Sequence, residues 1–381
     1  MHSADSAVSR SIRCFAIILI ALTGWSSAIQ AQQSAHGRIV VVMNKPELVE
    51  EMGNELDAVL EQCRSLVQAE DSDLLDAGSA YIAQFNKPLA VQGYPAANSE
   101  TKALWLRKWL AERVPPGSTI VLLGDAKMLP TWHFKSNRIE FTADSLYGDL
   151  NGDGVPDTAV ARVVGTPAMV MRQLKGERGD ATNAVILCSE DLRIHHETRL
   201  FAKNLSQLGY QVALRGSRDN KALAESSVIV HFGHGSSKLI ANRFNRPFAT
   251  ANTVPPLQAA PIVFIEGGAT ISPVDSPLLK AFLRQGAIGY LGSSGPVLGQ
   301  NPARLAGEMM EHFLALHQDQ PSLPLPQLLR QAQAAYIKGH SDLREAIKGF
   351  ALGDLSKLTR EILPHLITVL EWAYYGSPTA T

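Results

Sequence analysis

Cysteine is scarce in this chain. Its 381 residues hold three, Cys14, Cys63 and Cys188, and none follows Cys188. A small disulfide-stapled scaffold is thereby excluded. Charge of one sign is also lacking. Thirty-five basic residues face 36 acidic ones, for a formal net charge of -1. Such a chain exerts no general pull on polyanions, so nucleic acid is not an expected partner. Long apolar runs are missing after the N-terminal region, and no later segment reaches the roughly 20 apolar residues of a membrane span. No low-complexity tract and no repeat of about 20–50 residues is visible, which argues against solenoids and propellers.

What is present is a globular composition, 45% hydrophobic and 19% charged. At about 100–200 residues per domain, the length predicts two domain-sized units. The N-terminus has the form of an export signal. Arg10 and Arg13 precede the apolar run Cys14–Trp25, and small residues follow, with cleavage expected after Ala28 or Ala31. The alternative is an uncleaved anchor, for which the run is short. Export leads to a periplasmic, cell-surface or secreted protein. Cys63 and Cys188 would then meet an oxidising compartment, but the sequence does not pair them. Cys63 lies on a helical apolar stripe with Leu56, Val59, Leu60 and Val67, and Cys188 ends a strand-like run. Both read as buried small hydrophobes.

Strand and helix patterns alternate, which predicts an α/β fold with mainly parallel sheets and flanking helices. Strands are expected at 38–43, 119–123, 158–163, 184–188, 228–232, 261–265 and 287–291. Helices are expected at about 46–67, 99–113 and 196–208. The segment 166–182 divides two α/β subdomains, 38–175 and 180–381, which follow a signal peptide at 1–31.

Three segments carry chemistry. His231-Phe-Gly-His234-Gly235-Ser236 ends a strand. Beyond the carboxyl end of a parallel strand, a histidine between glycines suits a general base, and the Gly235 backbone an oxyanion site; a plain loop histidine is the alternative. Phe264-Ile-Glu-Gly-Gly-Ala-Thr270 ends the following strand. A nucleophile there could face His234, but the loop offers Gly267, Gly268 and Ala269. Alternatively the glycines serve a tight turn. Asp149, Asn151, Asp153 and Asp157 recur around Gly152 and Gly154. With the Val155 carbonyl they form a candidate calcium loop; Val160 stands where an EF-hand needs glutamate, so it is not an EF-hand. The alternative is an Asp/Asn/Gly-rich turn.

These segments occur in an order that resembles the gingipain-like cysteine peptidases, a caspase-like family. Leu122-Leu123-Gly124-Asp125 is similar to the family's Leu-Val-Gly-Asp strand end. Asp144, Tyr147 and the Asp149–Asp157 loop are similar to its aspartate, tyrosine and DGDG-type loop, and Ala161-Arg162 to its Gly-Arg strand end. Gly233-His234-Gly235-Ser236 matches the setting of its catalytic histidine. Tyr375-Gly376-Ser377-Pro378-Thr379 resembles its Gly-Asp-Pro-Thr motif, with serine for aspartate. The resemblance implies a caspase-like fold and assigns His234 as general base. It also places the nucleophilic cysteine at Gly268, so the fold is implied and the activity is not.

Three functions follow. The first is an exported, catalytically inactive peptidase homologue that binds a protein or peptide ligand in its vacant cleft or on another face. The second is an active hydrolase in which Thr270 or Ser272 replaces the thiol. The third is a calcium-stabilised structural or secretion-related module. Asp144 and Glu266 lie near the matched segments, either as substrate contacts or as local hydrogen-bond partners.

Overall fold

The computed structural model describes residues 37–381 other than 68–72, 92–97, 136–138, 189–195, 243, 273–275 and 298–304. The expected signal peptide lies outside the described residues. Residues 38–381 form one compact unit.

The first half of the chain contributes β1 (Ile39–Met43), β2 (Leu74–Asp76), β3 (Thr119–Leu123), β4 (Trp132–Lys135), β5 (Glu140–Ala143) and β6 (Ala159–Val163). The second contributes β7 (Asn183–Cys188), β8 (Gln211–Arg215), β9 (Val228–Phe232), β10 (His234–Ser236), β11 (Leu239–Ala241), β12 (Pro247–Thr250), β13 (Ile262–Glu266), β14 (Gly289–Ser293) and β15 (Trp372–Gly376). Ten of these form one sheet, in the order β2-β1-β3-β6-β15-β14-β13-β9-β7-β8. β10, β11 and β12 form a small antiparallel sheet, and β4 pairs with β5. The chain is therefore α/β with a mainly parallel sheet.

The large sheet consists of two parallel blocks running in opposite directions. β15 is parallel to β6 but antiparallel to β14, and the reversal occurs there. The central strands are buried on both faces, as in β3 (TIVLL), where every residue is buried. This explains why they read as continuous apolar runs. Side chains alternate between two cores. Val40 and Val42 join the cluster under the Leu305–Asp319, Leu325–Gly339 and Ser341–Ala351 helices. Val41 and Met43 face the Leu56–Val67 and Pro167–Lys175 helices instead. On that same face, β13 and β14 are covered by the Pro277–Gln285 helix.

The helix expected at 46–67 is interrupted. Lys45–Met52 and Leu56–Val67 flank a 3-10 turn at Gly53–Glu55, and Gly53 has φ +52. Glycine adopts that conformation without the Cβ clash that other residues meet. The strand expected at 287–291 is shifted to 289–293, because Gly286 closes the preceding helix with φ +125. Cys63 and Cys188 are both buried, lie in different cores and are not joined by a disulfide.

Candidate active site

β9 and β13 are parallel neighbours, with Phe232 opposite Glu266. Their following loops therefore leave the same edge of the sheet. The Gly233 N–H donates to the Glu266 carbonyl at 3.1 Å, tying the two strand ends together. The next contact is closer still. A Cβ on Gly267 would lie 3.1 Å from both Cα and N of Gly235, and one on Gly235 would lie 2.5 Å from Thr270 Cγ2. Any larger residue at either place would push the loops apart. These glycines are required by close approach, and they bring the His234 loop against Gly267.

Gly268 is different. It does not have a positive φ; the left-handed position in this turn is Ala269, at φ +52. A Cβ on Gly268 would meet nothing nearer than 3.6 Å, at Pro296 Cα and Val297 N. The turn therefore does not need glycine at 268, contrary to the tight-turn alternative. The Ala269 N–H donates to the Gly295 carbonyl at 2.6 Å, whereas the Gly268 N–H has no acceptor among the described residues.

His234 starts β10 and is exposed. Its imidazole has no hydrogen-bond or ion-pair partner among the described residues. Below it, His231 is fully buried, with Nδ1 3.2 Å from the Leu187 carbonyl and Nε2 3.1 Å from the His234 carbonyl. Burial pushes its pKa down to about 4, so the ring is neutral at pH 7. It steadies the His234 backbone and is too deep to act on a ligand.

Of the two hydroxyls considered as substitutes, that of Thr270 is poorly placed. Thr270 is fully buried; its methyl faces Gly235, and its Oγ1 would lie 2.8 Å from a Cβ on Gly292, in the sheet interior. Ser272 is bonded through its backbone to the Ser276 hydroxyl, in the turn entering the Pro277–Gln285 helix.

A feature missed in the sequence lies under this loop. Glu266 Oε2 and both carboxylate oxygens of Glu371 are buried without a hydrogen-bond partner among the described residues. Burial pushes Glu266 up to about 8, with Glu197 adding to the shift. Burial also holds Glu371 well above the carboxylate range, and Glu266 contributes. At neutral pH Glu266 is therefore mostly protonated. In the sequence, the lone signal was an acidic residue closing an apolar strand at Glu266.

The other matched segments have structural duties. Arg162, 1% exposed, holds Asp144 through two bonds of 2.7 Å and donates to the carbonyls of Gly124 and Leu129. One buried guanidinium thus ties three motif segments together, and Asp144 is an internal partner, not a substrate contact. In the Asp-rich loop, Asp149 accepts from the N–H groups of Asp153 and Gly154 and from Arg107. Asp157 accepts from Asn151, and Asp153 from the Val155 N–H and from Arg344. The carboxylates are engaged by backbone donors and two guanidinium groups, so this arrangement does not fit a calcium cage. No group of three or more His, Cys, Asp or Glu among the described residues converges to hold a metal.

The family model of peptidase family C25 matches residues 98–354, a span that contains both His234 and Gly268. Sequence comparison with curated proteins finds no match. A solved structure titled "Structure of Protease" is 12% identical, aligns over 92% of this chain and 79% of its own, and gives a TM-score of 0.55. The Saccharomyces cerevisiae separase in complex with securin is 10% identical over 68% of this chain and 15% of its own, at a TM-score of 0.36. Family match, ordered motifs and paired strand-end loops agree: the chain belongs to peptidase family C25, the gingipain family.

Proposed function

We propose that this protein is an exported member of the gingipain family that has lost peptidase activity and acts by binding a peptide or protein segment. The carrying observation is Gly268, a position of ordinary backbone geometry that would accept a Cβ without a clash, on the loop beside the His234 loop. A histidine base accelerates acyl transfer by taking a proton from a nucleophile. Glycine offers neither proton nor electron pair, and His234 has no partner to serve. The burial of Thr270 Oγ1 on the far side of the loop weighs against a hydroxyl substitute. Export is supported by Arg10, Arg13 and the apolar run that follows. No described helix is long and apolar enough to cross a membrane.

The test restores the missing atom. Wild type is expected to leave a peptide library intact. Gly268→Cys should gain cleavage, because the Cβ fits and the change restores the thiol at the position the family resemblance assigns to the nucleophile. The thiolate would add to the scissile carbonyl carbon and the amine would leave with the proton held by His234. Water would then hydrolyse the thioester. Cleavage by wild type that vanishes in His234→Ala would overturn the reading. Intact-mass measurement of exported protein should show an N-terminus after Ala28 or Ala31.

A further inference from the structure

We propose that a second cavity, at the edge of the sheet opposite the Gly268 loop, binds a free amino acid with a large apolar side chain. β6 and β13 belong to the two opposed blocks, so the carboxyl ends of β3 and β6 lie at the edge away from those of β9 and β13. A crevice beyond strand carboxyl ends is where open α/β sheets hold small ligands. Here it has a volume of about 250 Å³, below the roughly 300–1,000 Å³ of sites for drug-sized ligands. Its apolar lining includes Leu48, Met52, Met128, Val163 and Met169, all buried. Met128 and Met169 fold back over the two strand-end glycines. A Cβ on Gly124 would lie 2.6 Å from Met128 Sδ, and one on Gly165 would lie 2.5 Å from Met169 Cε. Thioether side chains adapt their shape to an apolar guest.

Charges of both signs line the same cavity. Glu51, from the Lys45–Met52 helix, and Asp125, after β3, supply carboxylates. Lys280 and Arg284, one turn apart on the Pro277–Gln285 helix, supply cations. The acids thus come from the first half of the chain and the bases from the second. Asp125 uses Oδ1 to accept from the N–H groups of Lys127 and Met128, and its Oδ2 has no partner among the described residues. The Arg284 guanidinium and the Glu51 carboxylate likewise make no hydrogen bond or ion pair among the described residues. Partial burial and the nearby Asp125 push Glu51 up from its ordinary value, against the pull of Lys280 and Lys127. A carboxylate raised in this way favours a cation beside it. A ligand that satisfies both sets carries an ammonium and a carboxylate on one small skeleton, with an apolar group for the methionine-lined interior. That is a zwitterionic α-amino acid. A residue inside a peptide has neither charge, because both groups are consumed in amide bonds. Glycine has the charges and no apolar group.

The test is calorimetric titration of the mature protein at pH 7 with L-leucine, L-methionine, L-phenylalanine, glycine and the N-acetyl amides of the three apolar amino acids. At least one of the three is expected to bind at least tenfold more tightly than glycine and than its own N-acetyl amide. Arg284→Gln and Glu51→Gln, both at exposed residues, should each weaken that binding by at least tenfold. Unchanged melting temperatures without ligand confirm that the variants fold. Absence of binding by all three amino acids would overturn the inference, as would equal binding of glycine. Equal binding of an amino acid and its N-acetyl amide would also overturn it, and would make the cavity a seat for a peptide side chain. Binding that survives both substitutions would place the ligand elsewhere, and the assignment of this cavity would fall. None of these outcomes bears on the loss of peptidase activity, which the Gly268→Cys and His234→Ala cleavage assays read at the other edge of the sheet.

Discussion

At Glu266, a half-buried residue, one carboxyl oxygen, Oε2, is buried and has no donor among the described residues. Desolvation dominates, with Glu197 and Glu371 as the acidic neighbours. The folded group titrates near 8 and the unfolded one near 4.5. Between these values the native state binds more protons than the unfolded chain, so stability falls as pH rises through that window. Glu266→Gln retains the shape and cannot ionise. We expect the variant to melt above wild type at pH 8, on the order of 5 °C higher, with the gap closing toward pH 4.5. Parallel melting curves at both pH values would contradict this. Gly268 illustrates the other side of residue-scale reading. The glycine pair suggested a turn, but its strained angle lies at Ala269, and Gly267 is needed for a contact with Gly235. A sequence does not distinguish a glycine required by φ, one required by proximity, and one that is merely empty.

Elements governed by local pattern were legible. β3, β9 and β13 appear as apolar runs because burial on both faces leaves no room for polar residues. The Asp-rich loop was recognisable as a loop, but its partner was not. The spacing of Asp149, Asn151, Asp153 and Asp157 is equally compatible with calcium and with backbone N–H donors. The structure supplies Arg107 and Arg344, 42 and 191 residues distant in sequence from their partners. Asp149 and Arg107 are both buried, with Arg107 Nη2 3.0 Å from Asp149 Oδ2. Arg107→Met would leave a buried carboxylate without its cation, a loss of about 3–5 kcal/mol. Thermal or urea unfolding should show this as a lower midpoint. Calcium should not raise the melting temperature of wild type, since a ligand of the native state must stabilise it. A calcium-dependent rise reversed by chelator would show that the ion displaces the arginines.

The whole molecule depends on pairings that the sequence does not announce. Two subdomains were expected on either side of 166–182, and the structure joins the strands from both sides of that segment into one sheet. The join is β15, from the last ten residues of the chain, which lies between β6 and β14. Of β15 only Tyr375-Gly376 is marked in the sequence, through the Tyr375–Thr379 motif, because nothing local says that a C-terminal strand inserts mid-sheet. The candidate site was half legible for a related reason. His234 and Gly268 each end a recognisable strand, so their meeting follows from strand adjacency. Glu371 arrives from the far end of the chain, just before β15, and no spacing in the sequence places it under Gly268. β15 pairs with β14 along five residues, from Gly289↔Gly376 to Ser293↔Trp372, and meets β6 at Tyr375↔Arg162. Without residues 372–381, β14 and β6 would each expose an unpaired edge, and the pocket around Trp372 and Tyr374 would empty. The shortened chain should therefore lose cooperative unfolding in both halves together. The check is native-state hydrogen exchange at β3 and at β13. If β3 stays protected while β13 does not, the two blocks are independent domains and β15 is an accessory strand.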